Sequence, residues 1–254
     1  MEIYYSIVIF IFGIVFGSFY NVVGWRLPKG ESLLFPASHC TKCNHKLGAS
    51  ELVPIFSYLF LGGKCKNCGD KISLFYPVFE LLTGILFVIS YWVFGFSIEF
   101  GVALIFISVL LIVFISDYQT MIIPDEVLVF GIICIAILLF IKGGFSLVID
   151  SLINGVISFS IMYLLKKMGD FIFKRESMGG GDIKLMFFIG MTLGFEMAII
   201  SIFVASFIGL PISIVIMYLS KDDVIPFGPF LSIAAVILFL FQINFNMIID
   251  LLTK

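Results

Sequence analysis

The chain of 254 residues has a composition that excludes an ordinary soluble domain. Hydrophobic residues make up 61% of it and charged residues 13%, and the mean hydropathy is +1.19. Soluble globular domains are about half apolar and about one quarter charged. The net charge is −2, and no basic patch of the kind that binds nucleic acid is visible. We therefore predict an all-α polytopic membrane protein, with the lipid bilayer and not nucleic acid as its partner.

Apolar runs of nearly membrane-spanning length recur along the whole chain. A helix needs about 20 apolar residues to cross the hydrocarbon core, and we count eight runs, of which the sixth is short. The first run lacks the basic segment and the cleavage site of a signal peptide, which predicts a retained helix. The eight runs lie near residues 3–24, 76–95, 98–116, 126–141, 146–165, 183–197, 198–219 and 228–250.

The lysines and arginines between these runs predict the orientation, because cytosolic loops are enriched in them. With the N-terminus outside, thirteen of the fifteen basic residues fall in cytosolic loops, and the other two are Lys142 and Lys254. We therefore predict a multi-pass membrane protein whose N-terminus is outside. Its expected parts are a first transmembrane helix (1–25), a small cytosolic module (26–75) and a seven-helix membrane domain (76–254).

Four of the five cysteines lie in the cytosolic module as two Cys-x-x-Cys pairs. These cysteines are Cys40, Cys43, Cys65 and Cys68. Two such pairs can close a tetrahedral zinc site with four thiolate ligands, which is typically structural and closed to substrate. Disulfide bonds are the alternative, and the reducing cytosol disfavours them. His39 and His45 are near enough to bind a metal, but four thiolates already complete the shell, so we predict a structural zinc.

Two aspartates stand at the predicted cytosolic ends of apolar runs. Asp117 ends the third run in "LIVFISDYQTMIIPD", and Asp182 begins the sixth in "MGGGDIKLMFFIG". Acids beside membrane helices are costly and usually mark function. Two carboxylates that share a proton can activate a water and polarise a carbonyl group, which is aspartic peptidase chemistry. The alternative is that each acid simply ends or caps its helix, since a Gly-x-Gly-Asp string is weak by itself.

Six motifs, taken in order, resemble those of the bacterial type IV prepilin peptidases. Members of that family are membrane aspartic peptidases that process pilins and the pseudopilins of secretion and competence. The motifs are "GSFYNVVGWRLP" (17–28), the double Cys-x-x-Cys box with "SYLFLGGKC", "YPVFE" (76–80), Asp117 with "IIPD", "GGGDIKL" with Asp182, and "IPFGPFLS" (225–232). They span nearly the whole chain. One departure is Thr41, where the family often has proline, and it should not disturb ligation.

The resemblance implies that Asp117 and Asp182 are the catalytic pair. It also implies a protein of the bacterial cytoplasmic (inner) membrane. The substrate would be a prepilin or pseudopilin, cut between its basic leader and its hydrophobic helix at the cytosolic face. Many members also methylate the new N-terminus with S-adenosyl-L-methionine, and the opening motif and the zinc module are associated with that activity. The resulting candidates for the methyl-donor site are Asn21, Arg26, Gly63, Lys64 and Glu80. A turn at Gly63 and a membrane anchor at Arg26 are structural alternatives.

Two other functions are compatible with membrane aspartates. A proton- or ion-coupled transporter would carry acids near the bilayer midplane and often internal repeats, whereas these acids end helices and the sequence shows no repeat. A non-catalytic, zinc-bearing scaffold of a pilus or secretion machine would instead tolerate the loss of either aspartate.

Overall fold

The computed structural model describes residues 1–220 and 225–243, together with residues 245 and 247, and its elements are helices. Two isolated β-bridges, His39 with Lys46 and Lys64 with Lys71, are the strand-like pairings in these ranges. The helices are α1 (Glu2–Arg26), α2 (Phe56–Phe60), α3 (Phe75–Phe94), α4 (Ile98–Thr120), α5 (Asp125–Phe173), α6 (Gly180–Leu193), α7 (Phe195–Ser220) and α8 (Gly228–Leu240). The all-helical class predicted from the sequence is confirmed for this part of the chain.

Five helices in the described residues are long and apolar enough to cross a membrane: α1, α3, α4, α5 and α7. Helices α6 and α8 have 14 and 13 residues, fewer than the about 20 that a perpendicular span needs. The protein is thus a multi-pass membrane protein, but the predicted count and placement of eight spans are not confirmed. The predicted last span, 228–250, lies partly outside the described residues.

Helix α5 contains 49 residues and has a kink at two glycines. Gly143 and Gly144 leave helical geometry, and Gly144 has a φ of +72°, a value that glycine adopts without a steric cost. The kink lies between the fourth and fifth apolar runs of the sequence, 126–141 and 146–165. The two runs are therefore two helices that meet at this turn, and we refer to them as the first and second halves of α5.

Residues 1–100 form one compact unit, in which α1 packs closely along α3. A Cβ atom at Gly13 would lie 2.6 Å from the Cα of Gly84, and one at Gly17 would lie 2.8 Å from the Cα of Glu80. Small residues that allow two backbones to approach are typical of helix contacts in membranes. The contact sets the register of the two helices, so that Gly17 lies level with Glu80.

The second compact unit begins at Gly101, and its core lies among α4, α5, α6 and α8. The rings of Phe106 and Phe188 are 5.5 Å apart at this core. Helix α6 packs against the second half of α5, where Gly190 leaves no room for a Cβ atom beside Ser158. This packing fixes α6, whose first turn carries Asp182.

Candidate active site and metal centre

Asp117 lies in the last turn of α4 and is 6% exposed. Its Oδ2 atom accepts a hydrogen bond of 3.0 Å from the backbone N–H of Gly228, the first residue of α8. The first N–H groups of a helix have no partner within the helix and favour a negative charge. A Cβ atom at Gly228 would lie 2.6 Å from the same oxygen. The contact between α8 and Asp117 therefore requires glycine at this position.

Asp182 lies in the first turn of α6 and is 7% exposed. Gly179, the residue that precedes α6, lies beside its carboxylate, since a Cβ atom there would be 3.4 Å from Oδ2. Its Oδ1 atom is buried and contacts no donor among the residues that the structure describes. Buried oxygens normally have a hydrogen-bond partner. This oxygen therefore has an unused acceptor position, which a proton on the carboxyl group or an added hydrogen-bond donor would satisfy.

Ile123 connects the surroundings of the two aspartates. Its side chain lies 3.0 Å from the position of a Cβ atom at Gly181 and 3.3 Å from that of one at Gly228. Gly181 directly precedes Asp182, and Gly228 binds Asp117. The two carboxylates are also close enough for their charges to interact. The structure thus brings together the two aspartates that the sequence singled out, although Asp117 and Asp182 are 65 positions apart in the chain.

An ion pair joins the first turns of α5 and α6 beside this site. The Nζ atom of Lys184 lies 2.8 Å and 2.7 Å from the two carboxylate oxygens of Asp125. The sequence alone did not identify Asp125, Lys184, Ile123 or Gly228 as neighbours of the aspartates. The motifs "IIPD", "GGGDIKL" and "IPFGPFLS" were the available signals, because each contains one or more of these residues.

The four cysteines of the module form one cluster, in which the sulfur atoms all lie within 4.8 Å of one another. The Sγ atoms of Cys40 and Cys68 are 3.8 Å apart, and those of Cys43 and Cys65 are 3.9 Å apart. A tetrahedral zinc with Zn–S bonds of about 2.3 Å needs sulfur separations of about 3.8 Å. All four are free thiols, so the cluster could hold a metal ion and its geometry fits zinc.

The two Cys-x-x-Cys turns repeat the same backbone pattern. The N–H of Asn44 donates to the carbonyl of Cys40, and the N–H of Gly69 donates to that of Cys65, both at 2.9 Å. Asn44 and Gly69 have φ values of +55° and +72°, in the region where glycine and asparagine are favoured. The equivalent geometry explains how two separate turns present their thiols to one point.

Backbone donors favour the thiolate form at Cys40 and Cys43, whereas desolvation and the neighbouring thiols raise the pKa of Cys68 to about 12. The N–H of His45, with help from the Asn67 side chain, lowers the pKa of Cys43 to about 6. The N–H groups of Cys43 and Lys42 lower the pKa of Cys40. The thiolate is the form that binds metals.

Neither histidine near the cysteines belongs to the cluster. The Nδ1 atom of His39 contacts the carbonyl oxygen of Ala37 at 3.0 Å, and the Nε2 atom of His45 contacts Glu51 at 3.2 Å. The donor set is therefore four sulfurs.

Two family models match the chain. The model of the bacterial peptidase A24 N-terminal domain matches residues 11–94, which include the four cysteines. The model of the type IV leader peptidase family matches residues 104–214, which include both aspartates.

Relatives match over nearly the full length. The prepilin leader peptidase/N-methyltransferase of Bacillus subtilis is 35% identical over 237 residues, which cover 92% of this chain and 93% of that protein. The chain belongs to the type IV leader peptidase family. Proteins of the same name from Neisseria gonorrhoeae and Pseudomonas aeruginosa are 32% and 30% identical, covering 90% and 87% of this chain and 88% and 85% of those proteins. No solved structure gives a significant match. The resemblance seen in the sequence motifs is confirmed.

Two of the candidate methyl-donor residues, Asn21 and Glu80, lie where α1 packs against α3. Asn21 is buried, and its Nδ2 atom donates to the carbonyl of Tyr76 at 3.2 Å. Glu80 is buried, and its Oε2 atom accepts a hydrogen bond of 2.6 Å from the N–H of Ile55. The Oδ1 atom of Asn21 contacts no donor in the described part of the chain.

The other three candidates lie in the module or at its border. Gly63 has a φ of +67°, and a Cβ atom there would lie 2.7 Å from the Tyr58 hydroxyl oxygen, so the expected turn is present. Lys64 follows it and is exposed. Arg26 ends α1 and donates to the carbonyl of Ser32 at 3.1 Å. Each candidate thus has a local structural contact or a surface position, and none of these contacts assigns a ligand.

Proposed function

We propose that this protein is a membrane aspartic endopeptidase that removes the basic leader of type IV prepilins or pseudopilins and then methylates the new N-terminal residue. The convergence of two buried carboxylates, Asp117 and Asp182, around Ile123 carries the peptidase proposal. Family membership and relatives named prepilin leader peptidase/N-methyltransferase support both activities.

The two aspartates act as a pair in the proposed reaction. One carboxylate accepts a proton from a water molecule as its oxygen attacks the scissile carbonyl carbon. The other is protonated and donates a hydrogen bond to the carbonyl oxygen, on which negative charge develops. The N–H of Gly228 holds one oxygen of Asp117, while the buried Oδ1 of Asp182 has no donor among the described residues and would take up the proton that the pair shares. No metal takes part in this step.

The proposed topology has eight spans, with the N-terminus outside and the aspartates at the cytosolic face. The distribution of lysine and arginine supports this orientation. Asp117 is in the last turn of α4 and Asp182 in the first turn of α6. A prepilin would present its cleavage point where its own hydrophobic helix leaves the membrane. Acids at helix ends would meet that peptide bond without water entering the bilayer deeply.

The second activity is assigned to the first unit of the chain. A structural zinc on Cys40, Cys43, Cys65 and Cys68 would fold the module formed by residues 26–75. S-adenosyl-L-methionine supplies an electrophilic methyl group for a free amine, so cleavage must come first. The proposed donor-site residues are Asn21, Arg26, Gly63, Lys64 and Glu80. The other proposed parts are the first transmembrane helix (1–25) and the peptidase domain (76–254).

A reconstituted reaction tests this function. Purified full-length protein in lipid vesicles is incubated with a prepilin, with and without S-adenosyl-L-methionine. The masses of the products are then measured by mass spectrometry. The expected products are a free leader and a shortened pilin, which gains one methyl group only when the methyl donor is present. An intact prepilin, in the presence of folded and zinc-loaded protein, would refute the peptidase and favour the scaffold. A transporter is not favoured, because the acids lie at helix ends in a family of peptidases.

A further inference from the structure

The short helix α2 carries large apolar side chains that the protein leaves exposed. Phe56, Leu59 and Phe60 are 52%, 66% and 87% exposed. Residues three and four positions apart on a helix share one face, so these side chains form a single apolar patch. Exposed clusters of this kind usually mark a surface that contacts a membrane or another molecule. The depth of α2 relative to the membrane decides between a membrane contact and a contact with another molecule.

The end of α1 marks the membrane surface. Trp25 lies in its last turn, and the Nζ atom of Lys29 is 4.2 Å from the centre of the Trp25 ring. Tryptophan and lysine at the end of a membrane helix are typical of the headgroup level. Gly17 lies eight residues before Trp25 and contacts Glu80. At about 1.5 Å per residue, Glu80 is about 12 Å nearer the membrane centre than Trp25.

A hydrogen bond attaches the start of α2 at the depth of Glu80. The Oε2 atom of Glu80 accepts the backbone N–H of Ile55, the residue that precedes α2, at 2.6 Å. Ile55 has a φ of +63°, which is rare for a β-branched residue. The headgroup region is only about 5–7 Å thick on each side of the bilayer. A point about 12 Å inward of Trp25 therefore lies within reach of the acyl chains.

This depth explains why the buried carboxylate of Glu80 accepts a hydrogen bond from the backbone N–H of Ile55. The first N–H groups of a helix have no partner within it, and an unpaired backbone group is costly where lipid replaces water. Glu80 supplies the missing acceptor for Ile55. The strained turn at Ile55 and the carboxylate of Glu80 together allow a helix to begin inside the membrane.

We propose that α2 is a re-entrant segment whose Phe56, Leu59 and Phe60 lie against lipid acyl chains, in the leaflet whose headgroups surround Trp25. Lysines that follow α2 are exposed and suit anionic headgroups; they are Lys64, Lys66 and Lys71. The module is then anchored to the bilayer at α2 as well as at the C-terminal end of α1 and the N-terminal end of α3. This anchoring is independent of the proposed enzymatic function.

Fluorescence quenching in bilayers tests the proposal. Full-length protein carrying Trp25→Phe and Trp92→Phe is reconstituted in vesicles of phosphatidylglycerol and phosphatidylethanolamine. One reporter is added, either Phe60→Trp on the patch or Thr41→Trp, which is exposed between two cysteines of the module. Lipids brominated on the upper part of the acyl chain should quench the Phe60→Trp protein at least about twofold more strongly than the Thr41→Trp protein. Aqueous acrylamide should give the opposite order.

Two results would overturn the proposal. Quenching of the Phe60→Trp protein by acrylamide and not by brominated lipid would place the patch in water. Protection from both quenchers would mean that protein, and not lipid, covers the patch. A second comparison tests the cap: adding Glu80→Leu to the Phe60→Trp protein should reduce lipid quenching, whereas adding Glu80→Gln, which keeps an acceptor oxygen, should preserve it. Equal quenching in both would remove Glu80 from the anchoring.

Discussion

Gly228 shows how one missing side chain can shape the proposed catalytic site. Its N–H donates to Asp117 across 111 positions of sequence, and its Cα faces the same oxygen so closely that a Cβ atom would lie at 2.6 Å. Ile123 is a further neighbour at 3.3 Å. A side chain at this position must therefore displace Asp117, Ile123 or the start of α8.

Gly228→Ala is accordingly expected to lower cleavage about 100-fold, since a shift of about 1 Å in a catalytic group costs that much. The matched control is Gly180→Ala, because Gly180 opens α6 near Asp182 and its Cβ atom would meet nothing within 4 Å. Both proteins are assayed on one prepilin at equal abundance. Equal cleavage by the two variants would argue against a positioning role for Gly228.

At the scale of elements, the module depends on its two cysteine turns more than on a hydrophobic core. Cys65 is the one buried cysteine of the cluster, and the two turns contribute little other buried apolar surface. Small domains with little core commonly fold only when a metal binds. The stability of the module should therefore follow its metal content.

Purified protein is expected to contain one zinc per chain, and Cys65→Ser is expected to lose it, because three thiolates leave the tetrahedral shell incomplete. Cys134→Ser is the control, since Cys134 lies in α5 outside the cluster. Elemental analysis of the purified proteins measures both. Full zinc content in the Cys65→Ser protein would exclude the proposed ligand set.

A substitution in the module is expected to affect methylation and not cleavage. Lys64→Ala should leave cleavage nearly unchanged and reduce methylation at least about tenfold, because the aspartates are proposed to need no group from residues 26–75. Lys66→Ala serves as the control, since Lys66 is also exposed and lies two residues along the chain. Mass spectrometry of the processed pilin distinguishes the products. Uncleaved prepilin with Lys64→Ala would instead mean that the module positions the substrate for the cut.

For the whole molecule, local patterns were predictable and long-range contacts were not. Apolar runs predicted the helices, and the Cys-x-x-Cys spacing predicted the cluster, because both signals are contained in short stretches of sequence. The spacing of Asp117 and Asp182 could not reveal that α4 and α6 bring them together. The contact between Gly228 and Asp117 was missed for the same reason. Helix α2 was missed because five residues are too few for a helical period to be seen.

The turn within α5 follows from a short stretch of sequence. Gly143 and Gly144 stand between the fourth and fifth apolar runs and form the turn that separates the two halves of α5. The number of membrane crossings therefore depends on this turn and on the short helices α6 and α8.

The central claim is that Asp117 and Asp182 together cleave the leader, and replacing each carboxylate by an amide tests it most directly. Asp117→Asn and Asp182→Asn are each expected to reduce cleavage of a co-expressed prepilin at least about 100-fold, because a proton-sharing pair fails when either member cannot ionise. Asp150→Asn, at an exposed aspartate in α5, should process the prepilin normally. Normal processing by either the Asp117→Asn or the Asp182→Asn protein, at the abundance of the unmodified protein, would contradict the account.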